Sequence, residues 1–294
     1  MNDYSSNTLV INNQNNIPNG DYYNKYRYDF PQPTYFKKGS KIAVSNIQIP
    51  YSFFNVMSLY NNNQFTLKIP TNQGIITENI VMPDGNYNIL SFNNFITEKL
   101  IKLGYAFYNS TTNVYKTHLS LNANSNSYHN FFTFTKIPNI LPTNNSFTNT
   151  TSGWSIKGLP SGNTNFITIT FNLNNNIGKL IGFSPNTYPE NIINNDTLYS
   201  FSNQLVNLSV VNTILINTNI IDNKYSSNSR ILSSFSPNVE FSYNINIQSQ
   251  YPIFVNIREG TYSHLEIEFL DQNGNMVPMN DNNICLLFII QIPN

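Results

Sequence analysis

Charge is scarce in this chain. Of its 294 residues, 10% are Asp, Glu, Lys or Arg, where an ordinary globular protein has about 25%. The 15 basic and 15 acidic residues cancel to a formal net charge of zero. That balance excludes the basic footprint of a nucleic-acid-binding protein and the polybasic stretch of a membrane-surface protein. It suits a chain that packs against copies of itself rather than staying dispersed by self-repulsion. Cysteine is nearly absent. The one thiol, Cys285, rules out a disulfide framework and zinc-type spacing, and its apolar neighbours predict a core filler. No apolar run reaches the 18 residues of a membrane-spanning helix. The N-terminus, "MNDYSSNTLVINNQNN", has no basic segment followed by an apolar one, so no signal peptide is expected and synthesis in a reducing compartment is.

What the chain does have is asparagine, about a fifth of its residues. In long tracts that would suggest a phase-separating segment. Here asparagine is dispersed between patterned strands, which fits AT-rich coding instead. Sequons such as Asn149-Thr-Thr and Asn207-Leu-Ser follow from the same composition.

Strand patterns dominate. "TLVINNQ" (8–14), "YNKYRYDF" (23–30) and "KIAVSNIQIP" (41–50) come first. In the third, Ile42 and Val44 disagree in parity with Ile47 and Ile49, which predicts a bulge near Ser45-Asn46. "QFTLKIP" and "GIITENIVM" form a pair across "TNQ". "PDG" (83–85) predicts a turn with Gly85 at positive φ. One helix follows over about 88–103. Phe92, Phe95, Ile96, Leu100 and Leu103 share a face, Asn88 or Ser91 caps it, Lys99 and Lys102 suit its C-terminal end, and Gly104 stops it. Residues 105–165 are Asn/Ser/Thr-rich and hard to pattern. "NFITITFNL" (165–173) alternates, with Ile167, Ile169, Phe171 and Leu173 inward.

The last third is nearly all strand: 205–218, 230–236, 239–246, 252–259, His264–Leu270 and Ile284–Ile292. Strands about 8–15 residues apart with polar turns indicate a sandwich. Eight antiparallel strands in two sheets predict a single jelly-roll β-sandwich, all-β. The domains expected are a jelly roll of residues 1–57 plus 204–294 and a mainly-β insertion, 58–203, with one helix. The final strand is apolar on both faces. Ile284, Leu286, Phe288, Ile290 and Ile292 alternate with Cys285, Leu287 and Ile289. A jelly roll places that strand inside a sheet, so its second face becomes the place to look for a subunit contact.

Catalytic patterns are missing. His118, His129 and His264 form no metal-binding spacing, although His118 and His129 would need only a hairpin to meet. Glu266 and Glu268 project from one strand face, where a two-carboxylate glycosidase site or calcium could be imagined; a solvated or salt-bridged strand face is the plainer reading. Asp271, Asn273 and Asp281 offer oxygen ligands, but "DQNG" is first a turn signal. Trp154, in "TSGWSIKG", is either a sugar-stacking ring or a local packing anchor. No GxSxG, P-loop or GxGxxG occurs. The expectation is no enzyme, no catalytic residue, no metal and no cofactor.

Four stretches occur in order: "GSKIAVSNIQIPYSFFNV", "NIVMPDGNYNILSFNNFITEKL", "KLIGF" and "REGTYSHLEIEFLDQNGNMVPMNDNNICLLFIIQI". They contain Pro50-Tyr51-Ser52, Pro83, Gly85 and Tyr87, Leu180–Phe183, and Leu265–Gly274. In this order they resemble the minor capsid, or penton, protein of virophages and Polinton-like viruses. The resemblance implies a single jelly roll with an insertion domain, forming a homopentamer at the five-fold vertices of an icosahedral virion. Its neighbours there would be double-jelly-roll hexon trimers of the major capsid protein. It implies assembly in the infected-cell cytoplasm, no nucleic-acid partner and no membrane span. A host or giant-virus surface is a further candidate partner, and a carbohydrate- or receptor-binding sandwich is the alternative function.

Overall fold

The computed structural model describes residues 4–18, 20–109, 112–124, 126–139, 165–175, 177–224, 226 and 228–294. The chain divides into two compact units, Met1–Phe53 with Val211–Asn294, and Phe54–Val210. The first unit opens with β1 (Tyr4–Asn12), β2 (Lys25–Phe36) and β3 (Lys41–Pro50). The second contains β4 (Gln64–Thr71), β5 (Gly74–Val81), helix α1 (Ile89–Lys102), β6 (Phe107–Asn109), β7 (Val114–Lys116), β8 (Leu119–Asn124) and β9 (His129–Thr135). It continues with β10 (Thr168–Thr170), the helical turn α2 (Ile177–Leu180), β11 (Thr187–Tyr188) and β12 (Thr197–Phe201). The first unit resumes with β13 (Ile214–Thr218), β14 (Ile231–Phe235), β15 (Asn244–Gln248), β16 (Val255–Asn256), β17 (Gly260–Leu270) and β18 (Cys285–Pro293).

The first unit is two antiparallel sheets, ordered β1-β18-β3-β15, with β16 also on β3, and β14-β13-β17-β2. The chain crosses between sheets repeatedly, and this order of its eight main strands is that of a jelly roll. The final strand β18 lies between β1 and β3, hydrogen-bonded on both sides. It crosses from β17, which belongs to the other sheet.

Packing of this core depends on one extra residue in β3. Leu287 pairs with Asn46, but Phe288 pairs with Val44, so Ser45 is bulged out. Side chains alternate with period two, and a single inserted residue restores the facing of everything beyond it. Ile42, Val44, Ile47 and Ile49 therefore all enter the core. From across the sandwich come Leu265, Ile267 and Phe269 of β17 and Tyr26 of β2. Tyr26 meets Phe269 edge to face, with centroids 5.9 Å apart. Each such fully buried side chain contributes about 1.5–3 kcal/mol.

The second unit has its own core. Two of its sheets run β11-β10-β4-β5 and β12-β9-β8. Helix α1 starts at a reciprocal cap, in which Asn88 Oδ1 accepts from Ser91 N and Ser91 Oγ accepts from Asn88 N. It buries Phe92, Ile96 and Leu100, and Lys99 and Lys102 sit in its last turn. It packs on β8, where Leu121 N donates to Asn93 Oδ1 at 2.8 Å. Gly104 follows at φ 79°, a left-handed position suited to glycine.

Several expected strands are shorter than their apolar patterns. Only Thr168–Thr170 of 165–173 is strand. Asn172 bridges back to Asn175, so the chain turns there and leaves Leu173 77% exposed rather than inward. Within 205–218 only Ile214–Thr218 is strand, because the run serves two cores. Leu208 and Val210 pack on the second unit's core, and Val211, Ile214 and Ile216 enter the first. The strand expected at 239–246 lies at Asn244–Gln248, and that at 252–259 shrinks to Val255–Asn256. Gly85 has no positive φ. It lies in an extended bridge with Val56, and a Cβ there would come within 3.0 Å of the Tyr87 ring.

Candidate assembly surface

Alternation along β18 sends Ile284, Leu286, Phe288 and Ile290 into the core, each almost fully buried. Cys285, Leu287 and Ile289 take the opposite face and are partly exposed. Cys285 is thus not a core filler. The reason is parity, since it is one residue out of step with the inward set. On β1, Leu9 and Ile11 are buried and Val10 points outward, 46% exposed. Register sets Val10 beside Leu287, Thr8 beside Ile289 and Asn12 beside Cys285. Across the other edge of β18, Asn46 pairs with Leu287 and Gln48 with Cys285. Asn244, Asn246 and Gln248 continue the exposed face on β15. The result is a short apolar stripe bordered by amides and hydroxyls.

The two sheets differ sharply in charge. Strands β1, β3, β15 and β18 carry one charged side chain, Lys41, whose Nζ lies 5.4 Å from the Tyr4 ring centroid. On the other sheet, β2 carries Lys25, Arg27 and Asp29, and β17 carries Glu266 and Glu268. Lys25 Nζ lies 3.5 Å from Glu266 Oε2 and 3.4 Å from Glu268 Oε1. Asn217 Nδ2 donates to Glu268 Oε2 at 2.8 Å, and His264 Nε2 lies 3.6 Å from Glu266 Oε1. The two carboxylates are therefore held by one lysine between them, in the manner of a salt-bridged strand face.

No protein-family model and no curated protein matches the chain. Among solved structures, it is similar to the crystal structure of the selenomethionine-labelled mavirus penton protein, at 12% identity over 99% of both chains, with a TM-score of 0.48. It is also similar to a chain in the 3.5 Å cryo-EM structure of the Sputnik virophage, at 14% identity over 99% of this chain and 98% of that one, with a TM-score of 0.41.

The remaining polar candidates are dispersed. His118 and His129 lie at opposite ends of the β8–β9 hairpin, because Leu119 pairs with Phe134 and Asn124 with His129. His118 Nδ1 is 3.0 Å from Thr135 Oγ1, and its ring meets Phe107 edge to face. Burial, with Lys116 nearby, pushes its pKa down to about 4. His129 Nδ1 is 3.0 Å from Ser202 Oγ. Asp271 is buried and clamps its own turn: Oδ1 accepts from Asn273 N and Asn275 N, both at 2.8 Å, and Gly274 sits at φ 84°. Asp281 Oδ1 accepts from Asn283 N at 2.9 Å. Among the described residues, no three His, Cys, Asp or Glu gather as a metal site. Trp154 lies outside the described residues. An aromatic group made by the exposed Tyr199 and Phe201 with the partly buried Phe131 escaped the sequence reading, although the out-of-step Phe131 in "NFFTFT" was a signal for it.

Proposed function

We propose that this chain is a structural, non-catalytic capsid protein, a penton that assembles with copies of itself into a five-fold ring at a virion vertex. The observation that carries this reading is the outer face of the β1-β18-β3-β15 sheet, where Val10 is exposed, Leu287 and Ile289 are partly exposed, and Lys41 is the one charged side chain on the strands. Burying charge at an interface is costly, and interface cores are depleted of it. The face is roughly 19 Å by 30 Å from strand spacing and rise. That is about 570 Å² in projection, the order of one side of a standard interface. A ring of five requires a heterologous contact, so this face meets a different surface on its neighbour. The order of the sequence motifs supports the penton assignment, and the inserted unit is a domain of that protein. Hexon trimers of a major capsid protein would be its other neighbours. No helix among the described residues is long and apolar enough to cross a membrane.

The test is the symmetry and mass of the purified protein, by negative-stain class averages and light scattering. Five-membered rings are expected. A protein that stays monomeric at every concentration and salt, and joins no capsid, overturns the reading.

A further inference from the structure

The second unit carries an exposed aromatic surface of its own. Its strand β12 is the edge of the β12-β9-β8 sheet. Tyr199 and Phe201 project from one face of it, 58% and 60% exposed. Both rings lean on Phe131 of β9, with centroids 6.2 Å and 5.5 Å away. Three aromatic rings thus form one platform on the outside of the sheet. Beside it runs a groove of about 530 Å³ that Tyr199 and Phe201 line together with Glu190, Asn191, Ile193 and Asn203.

Two polar groups of the groove have side-chain hydrogen bonds. Glu190 Oε1 accepts from Asn186 Nδ2 at 3.1 Å. Asn203 Oδ1 accepts from Ser184 N and Ser184 Oγ, both at 3.1 Å, which leaves Nδ2 as the donor side of that amide. Glu190 is the one charged residue among those lining the groove. A nucleic acid, a phosphate or an acidic sugar would meet a carboxylate and no cation there. Aromatic faces accept the C–H faces of pyranose rings, and a fixed carboxylate and amides match hydroxyl donors and acceptors. Asn195, Thr197 and Ser200 also line the groove beside Ile193 and Leu198, a mixed surface that suits a ligand with both hydroxyls and apolar faces.

We infer that the groove beside β12 binds a neutral saccharide chain, stacked on Tyr199 and Phe201 and hydrogen-bonded by Glu190 and Asn203. All of these residues belong to the second unit of one protomer.

The experiment is saturation-transfer NMR and titration of the full chain with maltotriose, cellotriose, chitotriose and mannotriose. At least one should bind, with a Kd of about 1 mM, an affinity expected of a shallow single groove. Phe201→Ala and Glu190→Gln should each weaken binding about tenfold. Both positions are exposed, so the thermal melt should not move. Leu173→Ala, at an exposed turn lining no part of this groove, should bind as wild type. Three results overturn the inference: no saccharide binding up to about tenfold above that Kd, binding indifferent to both substitutions, or Phe201→Ala altering only the oligomeric state. The last would make the platform a contact between copies or with another protein.

Discussion

Leu287 and Val10 are register partners on neighbouring strands, and both turn away from the core that their sequence neighbours fill. One strand therefore carries two apolar faces with different duties. Leu286 and Phe288 hold the sandwich together. Leu287 and Ile289 lie on the opposite face and are partly exposed.

That division separates two kinds of mutant. Leu287→Lys or Ile289→Asp should abolish ring formation, seen as a shift to protomer mass in light scattering, with the melting temperature nearly unchanged. Phe288→Ala, on the opposite face, should cost about 3–5 kcal/mol of stability in chemical denaturation. If Leu287→Lys instead unfolds the protomer, the outer face is intramolecular core.

The buried imidazole of His118 makes the second unit acid-sensitive. Its pKa falls from an ordinary 6.5 to about 4 on folding. Between those values the unfolded chain binds more protons than the folded one, so stability falls as pH drops from about 6.5 towards 4 and levels off below. The full swing is about 3 kcal/mol. Denaturation of the second unit across pH 4–7 should show this slope, and His118→Gln should flatten it. An unchanged slope in that variant would remove His118 as the cause.

Gly182 has no room for a side chain. Its φ is +87°, and a Cβ would stand 2.5 Å from the Gln204 carbonyl oxygen. Gly182→Ala should therefore destabilise by at least about 2 kcal/mol, through both clash and left-handed strain. Gly20→Ala is the matched control, with φ +63° and nothing within 4 Å; its cost should be only the strain, about 1 kcal/mol. Equal costs in the two would refute the packing argument.

Much of the fold was legible locally. The parity conflict between Ile42/Val44 and Ile47/Ile49 announced the Ser45 bulge, because facing alternates strictly along a strand. Asn88, Lys99, Lys102 and Gly104 bounded α1, because capping and dipole effects act within one turn. Where such reasoning failed, the cause was a distant partner. Leu173 looked inward by alternation, but the bridge of Asn172 to Asn175 ends the strand. Apolar residues around 205–216 looked like one strand, but Val210 and Val211 belong to different cores. Composition sees an apolar residue without seeing which core receives it.

The assembly face divides in the same way. The sequence alone determined that β18 is apolar on both sides, that charge is sparse, and that Glu266 and Glu268 share a face, since all of these follow from residue identity and a period of two. Only the tertiary structure decided that Val10 lies beside Leu287, that Lys25 sits between the two glutamates, and that one sheet holds the charge of the sandwich while the other is nearly bare. These depend on strand neighbours as far apart as positions 10 and 287, and pairing across the whole chain is chosen by the closure of the core rather than by any local pattern.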